Sequence, residues 1–406
     1  MFLLLSSKKV RSWCFFDFGI SSYPTLILTF FYGAFYAKKI ALNPTVGTTL
    51  WGFALSSASI ICFLILSFFL IRGKYLFKQV KIGLFKFFFY LMIFFTFGLI
   101  LFDEGSNIIW PLIFVVVSFV SFEITNLFYN ISLFKIKRQN RVGALSNLGW
   151  AFGYLGGLIS LFLVYLILKF TTDQNYTLFN VSIFKFIGPF VALWSALFGL
   201  SLFRILKDIK FCPPDIYELQ KNFKSRGLTK FLISYFFFNN AVISIFAFAS
   251  MIAAFIFELS ESQILFLGVF INLFGVLGCL VLGKFEDSIG SLKTIIICIL
   301  SLLTLTIILF FIKNNTGFWI IALLIGFFVG PIQASSRSFL VKNIKSKNEL
   351  SAFSLYSMFG NLCSILGPFI VGLTIDFSGS IRLGILVIPI FFFLSMIPYL
   401  RPRFSG

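Results

Sequence analysis

The sequence predicts an all-α, polytopic membrane protein with twelve transmembrane helices in two six-helix halves. Three observations predict it. Of the 406 residues, 59% are hydrophobic and only 12% are charged, whereas a soluble domain carries about a quarter charged residues. Apolar stretches long enough to cross a bilayer recur twelve times. The basic residues fall between those stretches and concentrate on alternate sides.

A span needs about 20 apolar residues to cross a hydrocarbon core of roughly 30 Å. The stretches that qualify run 13–37, 48–71, 84–102, 108–134, 142–168, 184–206, 230–257, 263–283, 293–312, 317–341, 350–375 and 380–400. Before the first, only Phe2 to Leu5 is apolar, ahead of Lys8, Lys9 and Arg11. No signal-peptide core is present, so the first helix is expected in the mature protein. The longest connection, Lys207 to Thr229, carries Pro213, Pro214 and a run of basic residues. It divides the chain into an N-terminal half (1–206), a central loop (207–229) and a C-terminal half (230–406). A faint repeat agrees: Phe134-Lys-Ile-Lys precedes Ala144 and Phe152-Gly153, as Phe339-Leu-Val-Lys precedes Ala352 and Phe359-Gly360.

Of the 33 Lys and Arg, 27 fall at the termini and even-to-odd connections and 6 in the others. The positive-inside rule then places both termini and the central loop in the cytoplasm. That distribution also explains the net charge of +19 without nucleic acid as a partner. Abundant Phe, Ile, Lys and Asn fit an AT-rich bacterial genome and hence a cytoplasmic (inner) membrane. Six cysteines without a CxxC pair read as small packing residues.

Twelve of the 14 acids lie at loops or helix ends, leaving Asp17 and Glu123 within spans. Glu123 is 12 residues from Lys135 and 16 from Asn107, roughly 18 and 24 Å from the flanks at 1.5 Å per residue. A charge at that depth costs about 2.5 to 3.5 kcal/mol on insertion scales, so it is expected to face a cavity and a partner. Asn126 and Asn130 continue its face at i+3 and i+7. A protonated structural Glu bonded to a neighbouring helix is the bland alternative. Asp17 lies six residues past Arg11, about 9 Å in, with Ser21 and Thr25 on its face and Pro24 as a local helix breaker. It fits a cytoplasmic mouth or an interfacial anchor equally. Asn239, Asn240, Asn272, Gln333 and Asn361 are polar groups in apolar runs that need internal partners. Gly149, Gly153 and Gly157 form a smooth strip for close helix packing.

These residues predict secondary transport of a small solute by alternating access around a midplane site. With no His, no carboxylate pair within a span and no metal-ligand cluster, an intramembrane enzyme lacks its chemical groups. No cofactor is expected. A phosphate-binding loop is missing, so an ion gradient or the solute's own gradient must supply the energy. A non-transporting sensor or scaffold is the alternative that residues alone leave open.

Several segments resemble one family of the major facilitator superfamily, the unknown major facilitator family of bacteria, related to the vacuolar amino-acid effluxers of fungal autophagy. Trp13-Cys-Phe-Phe-Asp17-Phe-Gly-Ile-Ser21-Ser-Tyr23 resembles its W-x-x-Y-D-W-A-N-S-A-Y opening, with Ile20 in place of Asn. Phe122-Glu123, Phe128-Tyr129-Asn130 and Gly149-Trp150-Ala-Phe-Gly153-Tyr154-Leu-Gly156-Gly157 are similar to its F-E, F-Y-N and G-W-A-x-G-Y-x-G-G. Gly330-Pro331-Ile-Gln333-Ala-Ser-Ser336-Arg337-Ser338, followed by Gly367-Pro368, resembles G-x-x-Q-x-x-S-R-S. The resemblance implies the major facilitator fold, a small-molecule solute with protons as candidate coupling ion, and, through the fungal relatives, amino-acid efflux. A monomer is expected.

Two positions depart from the pattern. The superfamily's G-x-x-x-D-x-x-G survives as Gly283, Asp287 and Gly290 between stretches eight and nine, while Arg72-Gly-Lys74 between stretches two and three has no acid. Where the family's helix 7 carries Y-N-D-G, this chain has Phe238-Asn239-Asn240-Ala241. The expected solute or proton pathway therefore comprises Glu123, Asp17, Asn126, Asn130, Tyr129, Asn239, Asn240 and Gln333. Asp287 and Arg337 are expected to meet as a gate at the cytoplasmic mouth, Arg337 lying five residues inside Lys342, about 7.5 Å.

Overall fold

A computed structural model describes residues 2–76, 80–136, 141–172, 183–207, 210–215 and 226–400. Of the central loop, residues 208–209 and 216–225 lie outside the described residues, as does the tail 401–406. Among the described residues, twelve helices are long and apolar enough to cross a membrane. The first half holds α1 (Lys8–Ile40), α2 (Val46–Tyr75), α3 (Ile82–Leu101), α4 (Ile109–Ile136), α5 (Val142–Ile167) and α6 (Phe184–Ile205). The second holds α7 (Gly227–Ile256), α8 (Phe266–Ile289), α9 (Ser291–Phe311), α10 (Asn315–Asn343), α11 (Glu349–Ser378) and α12 (Ile381–Leu400). Every expected stretch has its helix, with ends displaced by a few residues.

Helix pairing repeats with an offset of six. In the first half α1 packs on α5 and α6, α2 on α4, and α3 on α4 and α6; in the second, α7 packs on α11 and α12, α8 on α10, and α9 on α10 and α12. The halves meet where α5 lies along α8 and α10, and α2 along α11. Phe fills the first half's interior. Phe16 of α1 contacts Phe85 and Phe89 of α3, Tyr129 of α4 and Phe203 of α6. Other large apolar side chains, such as Phe94, Phe162, Phe255 and Phe311, are exposed on faces suited to lipid.

Two helices carry the departures from regular winding that position the site. α1 is α-helical over Lys8–Ile20 and π-helical over Tyr23–Phe30, because Pro24 lacks the N–H that would continue the ladder; the Phe31 N–H donates to Leu26 O, five residues back. α10 carries Pro331 within an unbroken helical span. Among the described residues, one element not expected from the sequence is a two-residue antiparallel ribbon, with Val80 opposite Phe211 and Lys81 opposite Lys210. It ties the start of α3 to the segment after α6, at the end of the bundle that bears the N-terminus.

Candidate transport site and gate

A cavity of about 350 Å³ lies between the halves, walled by α1, α4 and α5 on one side and α7, α8, α10 and α11 on the other. Asp17 reaches it from α1. The Tyr129 hydroxyl donates to Asp17 Oδ2 at 2.9 Å, and Ser21 Oγ donates to Oδ1 at 3.3 Å. The glycine strip of α5 is the seat for this polar face. A Cβ on Gly153 would stand 2.9 Å from Ser21 Oγ and 3.1 Å from Asp17 Oδ1, and one on Gly157 2.7 Å from Thr25 Oγ1. Gly149 meets Trp13 in the same way, and Gly156 meets the Phe18 carbonyl. The strip packs α5 against the turns of α1 that carry Asp17, Ser21 and Thr25.

Glu123 opens onto the cavity from α4, where Asn361 Nδ2 of α11 donates to its Oε2 at 3.4 Å. Asn126 and Asn130 line the same wall, and Asn130 Nδ2 donates to Asn126 Oδ1 at 3.3 Å. Across the cavity, Gln333 donates to Asn239 Oδ1 at 2.8 Å and accepts from the Tyr356 hydroxyl at 3.4 Å. Asn239 therefore stands behind Gln333 and is 4% exposed. Tyr129 is buried beneath the wall, stacked on Trp13 with centroids 4.7 Å apart.

Asn240 is not part of the site. Its Nδ2 donates to Phe236 O and to Cys363 Sγ at 3.1 Å, so the amide points into the packing of α7 on α11. Position on the helix decides this: one residue on from Asn239 the side chain turns by about 100°.

A second cavity of about 450 Å³ shares Pro24, Thr25 and Asn272 with the first and continues past Thr29, Phe30 and Ile264. It leads toward the end of the bundle away from the N-terminus. The opposite end is closed. The Gly143 and Ala144 N–H groups, at the first turn of α5, donate to Asp287 Oδ1 and Oδ2, both at 2.8 Å, and Lys342 Nζ lies 2.9 Å from Oδ1. Asp287 is thus an anion on a helix N-terminus, where unpaired N–H groups and the helix dipole favour it.

Arg337 does not bond Asp287, contrary to the expected pair. Its Nε donates to Ser146 Oγ at 2.9 Å, its Nη2 to Ser146 O at 2.6 Å and its Nη1 to Asn130 Oδ1 at 3.0 Å. The guanidinium also lies over the Trp13 ring, 4.7 Å from its centroid. Backbone carbonyl, amide and ring face meet its need for partners without an acid. The two residues share a task instead, since both grip the first turns of α5.

Glu286, placed by its sequence position at a helix end, proves to be the centre of this closure. It is fully buried and accepts from Asn147 Nδ2 at 2.6 Å, Ser291 Oγ at 2.6 Å, Ser335 Oγ at 2.9 Å and Ser338 Oγ. Gly143 has no room for a side chain beside it: a Cβ would stand 2.7 Å from Glu286 Cδ. Also unforeseen is the aromatic part of the cavity wall, Trp150 and Tyr154 from α5 with Tyr235 and Tyr356 from α7 and α11. The available signal was a hydroxyl or indole N–H far inside a span, as informative as an amide there. Among the described residues no three His, Cys, Asp or Glu side chains gather as a metal site.

A family model described as vacuole effluxer Atg22 like matches residues 134–402. The chain belongs to this family. The match runs from the end of α4 through α12. An uncharacterized MFS-type transporter, YxiO of Bacillus subtilis (strain 168), is 22% identical over 413 residues, covering 96% of this chain and 94% of its own. Autophagy-related protein 22 of Vanderwaltozyma polyspora is 27% identical over 223 residues, half of this chain and 39% of the fungal protein. In fold, a bacterial homologue of the iron transporter ferroportin, crystallised in an outward-facing state with soaked iron, superposes with a TM-score of 0.71 at 12% identity over 97% of this chain and 99% of its own. This effluxer-like chain is therefore a membrane transporter of the major facilitator type, not an enzyme.

Proposed function

We propose that the protein exports an amino acid across a bacterial cytoplasmic membrane by alternating access. Residues 1–206 and 230–406 rock as two units about the central cavity, and both termini lie in the cytoplasm, so the described conformation opens outward. The observation that carries this reading is the cavity itself: it is built from both halves, sealed at the basic end of the bundle by Asp287, Glu286 and Arg337, and lined with two carboxyls and a belt of amides. A solute held there touches both moving units, which is the requirement for alternating access. The likeness to autophagy-related protein 22 supports an amino acid as cargo. Glu123 is the assigned proton carrier, a mid-membrane carboxyl that faces the cavity and has one long hydrogen bond.

Proteoliposomes loaded with a panel of labelled amino acids test the reading, and solute-dependent counterflow is the expected result. Binding without flux across the panel would make the protein a sensor and end the proposal. Under an imposed pH gradient, Glu123→Gln is expected to abolish accumulation; parental accumulation in that variant would make Glu123 structural. Orientation has a native probe. Cys212 is the only exposed cysteine of the six, so a membrane-impermeant maleimide should label it in inverted vesicles and not in intact cells, with Cys212→Ser as the blank.

A further inference from the structure

The cavity's charges differ in how they face it. Asp17 and Glu123 are both partly exposed to the space, whereas Arg337 is 2% exposed and has turned its guanidinium into Ser146, Asn130 and the Trp13 face. Arg337 and Asp17 are also joined through one residue: Tyr129 donates its hydroxyl to Asp17 while its ring lies 5.4 Å beneath the guanidinium. That cation and that acid offset each other. Among the described residues, Glu123 is left without a charged partner. Its hydrogen bond is a 3.4 Å contact from the Asn361 amide, which also donates to Ser357 O at 2.9 Å, and a carboxylate so deep in a span needs a countercharge.

The remaining wall suits a cation with an alkyl body. Tyr235 and Tyr356 stack with centroids 4.2 Å apart and line the cavity with Trp150 and Tyr154. Ring faces attract ammonium groups, more strongly where water is excluded, and they cover methylene chains as well. The rings come from α5, α7 and α11 and Glu123 from α4, so a cation between them is held by both halves.

We propose that the cavity selects an alkylammonium solute carrying net positive charge, with its ammonium on Glu123 and its carbon chain against the Tyr235, Tyr356 and Trp150 rings. This rests on the transport reading above and narrows it: among amino acids it selects lysine over neutral and acidic ones. Because a proton and an ammonium then compete for one carboxylate, entry of either from one side displaces the other, which is exchange at a single group.

The test is a binding titration of the purified full chain in nanodiscs with L-lysine, cadaverine, L-leucine and L-glutamate, paired with counterflow of the same four. Lysine is expected to bind at least tenfold more tightly than leucine or glutamate, and cadaverine to bind although it has no carboxylate. Glu123→Gln should cost lysine at least tenfold, and Glu123→Asp should recover part of that loss, while monodisperse elution in detergent verifies that each variant is folded. Leucine binding as tightly as lysine would overturn the cation selectivity and leave amino-acid export standing. Lysine affinity unchanged in folded Glu123→Gln would overturn the assignment to Glu123. Cadaverine binding without flux of any of the four would instead sink the transport reading and keep the cation site.

Discussion

The halves carry two locks at the N-terminal end of the bundle, and they are not built alike. Where the second half grips the first, Asp287 caps the N–H groups of α5, and Glu286 binds Asn147 one turn further on. Where the first half grips the second, the segment around Arg72-Gly-Lys74 offers no acid. There Lys135 of α4 meets Glu349 at the start of α11 at 3.0 Å, Lys74 meets Asp215 at 2.6 Å, and the Asp215 N–H donates to Ser351 Oγ of α11 at 2.8 Å. The missing helix-end acid is thus supplied from the stretch after α6. A lock whose carboxylates all sit on helices is rigid; one that also relies on Asp215, on a connecting segment, follows that segment in part, although its Glu349 opens α11. The α5 lock should therefore dominate the energy of closure, and the α11 lock should trim it.

Substitutions can break or sharpen that contrast. Glu286→Ala should have the largest effect, because it strands four buried donors and a neighbouring lysine; removing one partner of a buried charge network costs about 3 to 5 kcal/mol. A cysteine placed at Asn126 in a cysteine-free background should then become reactive from the N-terminal side, and it should stay protected with Glu286 intact. Gly143→Ala should follow, since its Cβ collides with Glu286 and overpacking of this kind costs about 1 to 3 kcal/mol; reduced counterflow with normal folding would mark it. Asp287→Ala removes a helix cap worth about 0.5 to 2 kcal/mol and should give partial reactivity at Asn126. Because Asp287 and Arg337 have separate partners, reversing both charges should not restore what each reversal loses, and rescue in the double variant would show a contact in another conformation. The smallest change is expected for Lys74→Met. Lys74 is more than half exposed, and such pairs contribute about 0 to 1 kcal/mol. Were this variant as damaging as Glu286→Ala, the two locks would be equals.

The twelve helices were legible because each needs its own run of apolar residues, whatever its neighbours do. Glu123 and Asp17 were legible for a related reason, since an acid inside such a run has few explanations. What the chain hid was partnership. Asn147 and Glu286 are 139 residues apart, and Glu286 looks like any acid at a helix end beside the motif's own Asp287. Arg337 was recognised, but its partners proved to be Ser146, the Asn130 amide oxygen and ring faces, which leave no charge pattern to read. Tyr235 and Tyr356 were lost among 62 Phe residues, and Asn239 and Asn240, equal in the sequence, were separated by the rotation of about 100° between neighbouring helical residues.

The π-helical winding of Tyr23–Phe30 gives α1 two mechanical characters along one rod. Below it, Trp13 donates to Tyr129 O and Asp17 accepts from Tyr129, which fastens the turn that carries the carboxylate. Above it, a π-turn holds one residue more than an α-turn, so converting it to α-helix advances everything beyond by about 1.5 Å and turns it by about 100°. The Thr29 and Phe30 side chains at the outer cavity can thus be re-aimed by a slip of one residue, while Asp17 stays where it is. One residue of slack, held in an eight-residue π segment, makes the outer door and the inner binding site separable parts of the same helix.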